Sequence, residues 1–455
     1  MDYKTFIESK RHTQNQYGFQ STFIPDNLFD FQKYIVEKAV KKGRMGIFLD
    51  TGLGKSRISL AIAYNIVLKT NKRVLILTPL AVAFQFLKEA EAIGIDDIEH
   101  TKNGKFTKKI ILCNYERLHY LNSDDFICVI ADESSCIKNF MSKTKTQLIS
   151  FMRKTPYRFL QTATPSPNDF IELGTSSEAI GELGYMDMLN RFFKNNENTN
   201  DSRNKNIGEK YYLKPHAEKS FFEWINSWAI MIKKPSDIGF DDSLYNLPNL
   251  IENIHICDSF NDTDENGQIM FMPLEAKRMS EIRYEQKSTE KIRCEKSVEL
   301  ADNKTSVYWC NTNSESALLK KMDKEAIEII GNQDLDQKED ILKSFSEQEI
   351  KRLITKSSIT GQGLNWQHCN HSVFFPTFSY EQYYQSLRRF WRFGQKNNVT
   401  VDLILSEGQK RVMQALDEKK IKSQTLYDNL IKNINADFNI TKEIESAKFI
   451  KPMFL

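Results

Sequence analysis

Residues 48–56 read FLDTGLGKS. A short apolar run, Met45–Leu49, leads into them, and a segment of helical character, Ser56–Leu68, follows. A strand-to-helix turn with Gly52 and Gly54 can aim successive backbone N–H groups at an anion without interference from a Cβ. The start of the helix adds its partial positive charge. Thr51, Gly52, Leu53, Gly54, Lys55 and Ser56 thus make a candidate phosphate cradle. In it Lys55 would reach the β and γ phosphates of a nucleotide, and the Ser56 hydroxyl would ligate Mg²⁺. The general pattern G-x-x-x-x-G-K-[ST] has Gly where this chain has Leu49, and G-x-G-K-S alone also serves as a plain structural turn.

Downstream, FICVIADESSCIKN (126–139) places Asp132 and Glu133 at the end of an apolar run. At a strand's C-terminal edge, Asp132 can hold Mg²⁺ and Glu133 can polarise a water attacking the γ phosphate. Alone, the same pair is an ordinary helix-capping start. Around these motifs, short apolar runs alternate with longer periodic segments. The runs are Val74–Thr78, Ile110–Asn114, Phe126–Ala131 and Phe159–Thr162, with helical character at Ala81–Ala90 between them. This alternation predicts a parallel sheet covered on both faces.

The alternation stops near residue 170 and resumes after 300 with Ser306–Cys310, Ala326–Ile330, Arg352–Thr355, Ser372–Phe375 and Val401–Leu405. Helical segments lie around 314–323, 337–346, 379–392 and 408–419. The chain therefore reads as an α/β protein: an N-terminal nucleotide-binding lobe at 1–170, a mainly helical insertion at 171–300 that returns to the first lobe near 230–250, a second α/β lobe at 301–420 and a helical tail at 421–455. Within the insertion, 194–210 reads as a surface loop, 219–233 as an aromatic-rich helix and 272–300 as a solvated amphipathic helix. Trp224 and Trp228, spaced i, i+4, read as core rather than as base-stacking platforms.

Composition narrows the classes. With 455 residues, 40% hydrophobic and 27% charged, the chain has ordinary globular usage. A net charge of +3 excludes a histone-like polycation but leaves room for a local basic groove. No run is long enough for a membrane helix, and the N-terminus lacks an apolar signal region. The seven cysteines form no C-x-x-C pair and read as small core residues in a reducing cytoplasm.

The motifs, in order, resemble those of superfamily 2 helicases, and more narrowly of the Snf2-type DNA translocases, over residues 25–405. Phe31-Gln32 resembles the adenine-reading glutamine motif, so Gln32 is expected at the base. DTGLGKS (50–56) resembles motif I, and related compact helicases often carry leucine at the position of Leu49. LTPLAVAFQF (77–86) resembles motif Ia, CNYERL (113–118) the Snf2 "TYE" segment, and DESSCIKN (132–139) motif II, with Ser135 in place of the usual His. TATPSPND (162–169) resembles motif III, Lys233–Pro248 the segment closing the first Snf2 lobe, and SSITGQGLN (357–365) motif V. QSLRRFWRFGQ (385–395) resembles motif VI, and its Arg-Phe-Gly-Gln ending is the most family-specific piece. Similar motif sets occur in compact phage-encoded helicases, which would place the protein in a host cytoplasm.

The resemblance implies two RecA-like lobes with ATP–Mg²⁺ in the cleft between them. It implies nucleotide contacts from Gly363 and catalytic roles for Gln385, Arg389 and Arg392. It also implies nucleic-acid contacts from Thr78, Pro79, Tyr115, Thr162, Thr164 and Ser357. Independently of the family, Arg389 and Arg392 are spaced i, i+3, which puts them on one face of a helix, where their guanidinium groups can grip phosphate oxygens. Arg388 is left either contacting DNA or facing solvent, while Phe390, Trp391 and Phe393 read as core. The expected partner is DNA, single-stranded, forked or branched. Three activities fit: an ATP-dependent helicase that unwinds or branch-migrates DNA in replication or recombination, a duplex translocase that remodels protein–DNA complexes without separating strands, and a non-enzymatic nucleic-acid-binding scaffold.

Overall fold

Strands buried on both faces need cover on both sides, and the apolar runs of the first unit supply such strands. The computed structural model describes residues 17–80, 82–137, 143–166, 169–195, 211–257, 285–360, 364–377, 379–406 and 409–434. Its first strands are β1 (Arg44–Leu49), β2 (Arg73–Thr78), β3 (Ile98–His100), β4 (Ile110–Asn114), β5 (Phe126–Ala131) and β6 (Tyr157–Gln161). An antiparallel pair follows, β7 (Phe193–Asn195) with β8 (Tyr211–Leu213), and then β9 (Ala229–Ile232). Among the described residues, seven of these form one sheet in the order β3-β4-β2-β5-β6-β1-β9, every pairing parallel.

The helices of this unit are α1 (Asp30–Lys42), α2 (Lys55–Thr70), α3 (Ala83–Ala92), α4 (Lys143–Arg153), α5 (Leu173–Ile180), α6 (Tyr185–Phe192) and α7 (Glu218–Trp228). Helix α1 shows the local logic. Phe31, Ile35, Val36, Ala39 and Val40 are buried, which is one apolar stripe of a 3.6-residue period. Each of these side chains except the small Ala39 stabilises by roughly 1.5–3 kcal/mol on burial. Lys41 and Lys42 sit in the last turn, where cations complement the helix dipole. Gly43, at φ 73, ends the helix and returns its N–H to the Ala39 carbonyl.

The second unit carries β10 (Leu250–Cys257), β11 (Ser306–Trp309), β12 (Ile327–Glu328), β13 (Arg352–Thr355), β14 (His371–Phe374) and β15 (Val399–Ser406). They pair in parallel in the order β10-β15-β14-β11-β13-β12. Its helices are α8 (Glu290–Ala301), α9 (Asn313–Met322), α10 (Leu335–Ser346), α11 (Ser357–Thr360), α12 (Tyr380–Leu387) and the first part of α13 (Lys410–Ile434). Thr312 and Glu315 cap α9 reciprocally: Thr312 Oγ1 accepts the Glu315 N–H at 3.1 Å, and Glu315 Oε2 accepts the Thr312 N–H at 3.0 Å. The other Glu315 oxygen meets the buried Arg293 guanidinium at 2.9 Å and so ties α9 to α8. The two units are the parallel-sheet, RecA-like lobes that the alternation and the motifs lead one to expect.

The boundaries differ from the expected ones. The first unit runs to Tyr245, apart from Leu80–Val82, and resumes at Ser423 within α13. Residues 171–300 are therefore not one helical insertion. Helix α7 stops at Trp228 because Ala229–Ile232, wholly buried, joins the sheet edge beside β1. Strand β10 and helix α8 belong to the second unit, with β10 pairing along its full length with β15. The loop expected at 194–210 falls outside the described residues beyond 195, as does the first part, 272–284, of the charged stretch at 272–300.

The first core gathers Phe48, Leu75, Ile111, Val129, Leu160, Trp224 and Trp228, together with Tyr427 and Leu430 of α13. Both tryptophans pack as core, in edge-to-face contact with centroids 5.4 Å apart. The described cysteines are buried and unpaired, and burial pushes the Cys113, Cys294 and Cys369 thiols up to about 12. Among the described residues no helix is long and apolar enough to cross a membrane.

Candidate active site

Three neighbouring strands of the first sheet, β5, β6 and β1, end on the same side, and each delivers one motif. The carboxyl ends of parallel strands are where α/β sheets place their ligands. After β1 the glycine turn opens, with Gly52 at φ 89 and Gly54 at φ 81. Both values lie in the left-handed region that glycine enters without a Cβ clash. A Cβ on Gly54 would come 2.2 Å from the Gln32 amide nitrogen. Lys55 opens α2, and its Nζ donates to the Leu49 carbonyl at 2.9 Å and the Asp50 carbonyl at 3.3 Å. The ammonium thus folds back onto the start of the turn, against its first carbonyls.

The resemblance places Gln32 at the base. It is buried, with Nε2 donating to the Leu53 carbonyl at 3.0 Å and Oε1 accepting the Phe29 N–H at 3.0 Å. It therefore braces the phosphate loop from α1. A contact that the sequence did not suggest, Ser59 Oγ to Gln161 Oε1 at 2.6 Å, fixes α2 to the end of β6.

After β5 come Asp132 and Glu133, both buried. The Asp132 N–H donates to the Leu77 carbonyl at 2.8 Å. Glu133 sits at φ 50, a strained conformation for a residue with a side chain. Its Oε1 accepts from the Thr162 hydroxyl at 2.9 Å, and Thr162 Oγ1 in turn accepts the Thr164 N–H at 3.1 Å. Motif III after β6 therefore grips the motif II carboxylate directly. Ser135, in the histidine position of motif II, turns its Oγ to the Glu133 carbonyl at 3.4 Å. The Ser56 hydroxyl and the Asp132 carboxylate are hard oxygen donors, the ligand type Mg²⁺ takes, so this donor set fits the ion.

The residues expected on the nucleic-acid face divide. Thr162 is engaged with Glu133, and the Tyr115 hydroxyl donates to the Asp132 carbonyl at 2.6 Å. Thr78 is fully buried. Pro79 accepts at its carbonyl from Asn114 Nδ2 at 3.1 Å. Thr164 is buried.

In the second unit α12 ends at Leu387, so Arg389 and Arg392 lie on a turn rather than on the helix their spacing suggested. The turn is set by tertiary bonds. Gln395 Nε2 donates to the carbonyls of Gln367, Cys369 and Phe390, and Phe390 is buried. The two arginines still converge: Arg389 Nη1 and Arg392 Nη1 reach the Leu364 carbonyl of motif V at 3.0 Å and 3.4 Å. Arg388 does not face solvent. It is 5% exposed, with its guanidinium carbon 5.8 Å from the Tyr384 ring centroid and 5.3 Å from that of Trp391. Gln385 Nε2 donates to Glu381 at 3.2 Å, and the Ser386 hydroxyl donates to Ser357 Oγ at 3.0 Å, joining motifs V and VI. Gly363 lies outside the described residues.

Two family models match, one on each unit. Residues 26–167 match the model described as "Type III restriction enzyme, res subunit", and residues 289–394 match "Helicase conserved C-terminal domain". Comparison with curated protein sequences finds no match. Among solved structures, the chain is similar to the Sulfolobus solfataricus SWI2/SNF2 ATPase core in complex with dsDNA, at 16% identity and a TM-score of 0.40, covering 91% of this chain and 99% of that one. The phosphate turn and the acidic pair gripped by motif III fall within the first of these models and the paired arginines within the second, which leads to one assignment: the two units carry the paired domains of a superfamily 2 helicase, with Snf2-like motifs.

Proposed function

We propose that the protein is a DNA-dependent ATPase that couples hydrolysis to movement along DNA, unwinding or branch-migrating it. The observation that carries this reading is the Thr162–Glu133 hydrogen bond, because it joins the hydrolytic carboxylate to a motif that faces nucleic acid in the family this chain resembles. Lys55 binds the β and γ phosphates, and Gly52, Leu53 and Gly54 present backbone N–H groups to them. Glu133 accepts the proton of the attacking water, held in place by Thr162. Ser56 and Asp132 would hold Mg²⁺, which would supply positive charge against the phosphate oxygens. Arg389 and Arg392 exchange the Leu364 carbonyl for those oxygens and stabilise the charge of phosphoryl transfer. ATP drives motion only through its differential affinity for two states of the chain, which a guanidinium pair with two alternative partners can supply.

A second reading, a duplex translocase that does not separate strands, is favoured by the Arg-Phe-Gly-Gln ending of motif VI, whose Gln395 is buried as the anchor of the arginine turn. ATP turnover measured with and without DNA tests the ATPase. Stimulation by DNA, abolished in Lys55→Ala, is the expected result, and turnover indifferent to DNA would reject it. Strand displacement on forked and four-way substrates then separates the two readings: released strands support the first, and ATP use without release supports the second.

A further inference from the structure

We propose that Tyr115 is a positioning residue for hydrolysis, acting on the peptide between Asp132 and Glu133 rather than on nucleic acid. The inference rests on the assignment of Glu133 as the base. Tyr115 directly follows β4, whose last residue is locked from two sides: Asn114 Nδ2 donates to the Pro79 carbonyl at 3.1 Å, and Asn114 Oδ1 lies 3.1 Å from His100 Nε2. The ring packs half-buried on the first core, and its hydroxyl donates to the Asp132 carbonyl at 2.6 Å.

That carbonyl belongs to the peptide preceding Glu133, whose φ of 50 is unfavourable for any residue with a Cβ. Rotation of this peptide sets the direction in which the Glu133 side chain leaves the backbone. The strain and one hydrogen bond to the carbonyl are of the same order, so the hydroxyl is able to decide whether the strained state is held. Glu133 is then fixed twice, through its main chain by Tyr115 and through its carboxylate by Thr162. A catalytic group displaced by even an ångström loses rate without losing its substrate.

Tyr115→Phe keeps the ring and its packing and removes the bond alone. In the full chain with DNA, we expect kcat for ATP to fall about 5–10-fold, the effect of losing roughly one hydrogen bond at the transition state. KM, the affinity for a fluorescent ATP analogue, the DNA concentration for half-maximal stimulation and the urea midpoint should stay unchanged. An unchanged kcat overturns the proposal. So does a fall in kcat matched by a lower urea midpoint, which marks a structural role, or a raised DNA requirement at normal kcat, which marks a nucleic-acid contact. Glu133→Gln, run alongside, keeps the two ideas apart. Full turnover there removes the base assignment itself, whereas loss there with normal kcat in Tyr115→Phe removes only the positioning role.

Discussion

Gly54 and Gln32 define each other at the residue scale. The glycine's φ of 81 and the 2.2 Å approach that a Cβ would make to Gln32 leave no room for a side chain, since moving the amide would break its bond to Leu53. Gly54→Ala should lower stability by about 1–3 kcal/mol and weaken ATP binding with it. Urea unfolding and titration with a fluorescent nucleotide measure the two losses; a variant that keeps both would show that the turn tolerates a Cβ. For Arg392 the expected pattern is different. Its removal should cut kcat by roughly a thousandfold, as for an arginine finger, and change ATP affinity far less. Equal losses in both would make it a binding residue.

Elements follow the same physics with longer reach. Strands β4, β5 and β13 have the bounds that the sequence indicates, because runs apolar on both faces have no other stable use in a covered sheet. The sequence misleads where a neighbour distant in the chain decides. Ala229–Ile232 continues the apolar pattern of α7, yet pairs with β1, and the helical spacing of Arg389 and Arg392 is overridden by the carbonyls that Gln395 gathers. At the candidate site the motifs were legible one by one. The bonds joining them, Thr162 to Glu133, Tyr115 to Asp132 and both arginines to Leu364, connect separate stretches of chain and leave no local pattern. In the second sheet Asp402 cross-links β10, β15 and β14: His255 Nε2 lies 2.9 Å from Oδ1, His371 Nε2 lies 2.8 Å from Oδ2, and Asn253 donates to Oδ1 at 3.0 Å. Burial alone would raise this carboxyl, but the bonds from His371, Asn253 and His255 outweigh it and hold it well below the usual carboxylate range. A carboxyl lowered by folding stabilises above its unfolded pKa of about 3.9 and loses that contribution as pH falls below it. Asp402→Asn should therefore be less stable at neutral pH and show a shallower loss of stability below about pH 4. Urea midpoints across pH check this, and parallel curves for the two proteins would contradict it.

For the whole molecule, a net charge of +3 gives little long-range attraction to a polyanion, so the proposed grip on DNA would have to come from local phosphate contacts. Each phosphate neutralised on duplex DNA should contribute about 0.9 to the slope of log affinity against log salt. The DNA concentration for half-maximal ATPase should accordingly rise steeply with salt, and a flat response would exclude backbone-led binding. The division of the chain has a further consequence. The first unit takes Tyr427 and Leu430 into its core, and the Tyr427 hydroxyl donates to the Ala163 carbonyl of motif III, although residues 246–422 stand between. On the ribosome, the amino-terminal lobe must then wait on the order of tens of seconds, with an apolar patch uncovered, until the closing helix emerges. Nascent chains stalled before Ser423 should be chaperone clients, and the candidate site should mature only once the helix beyond Ser423 has emerged.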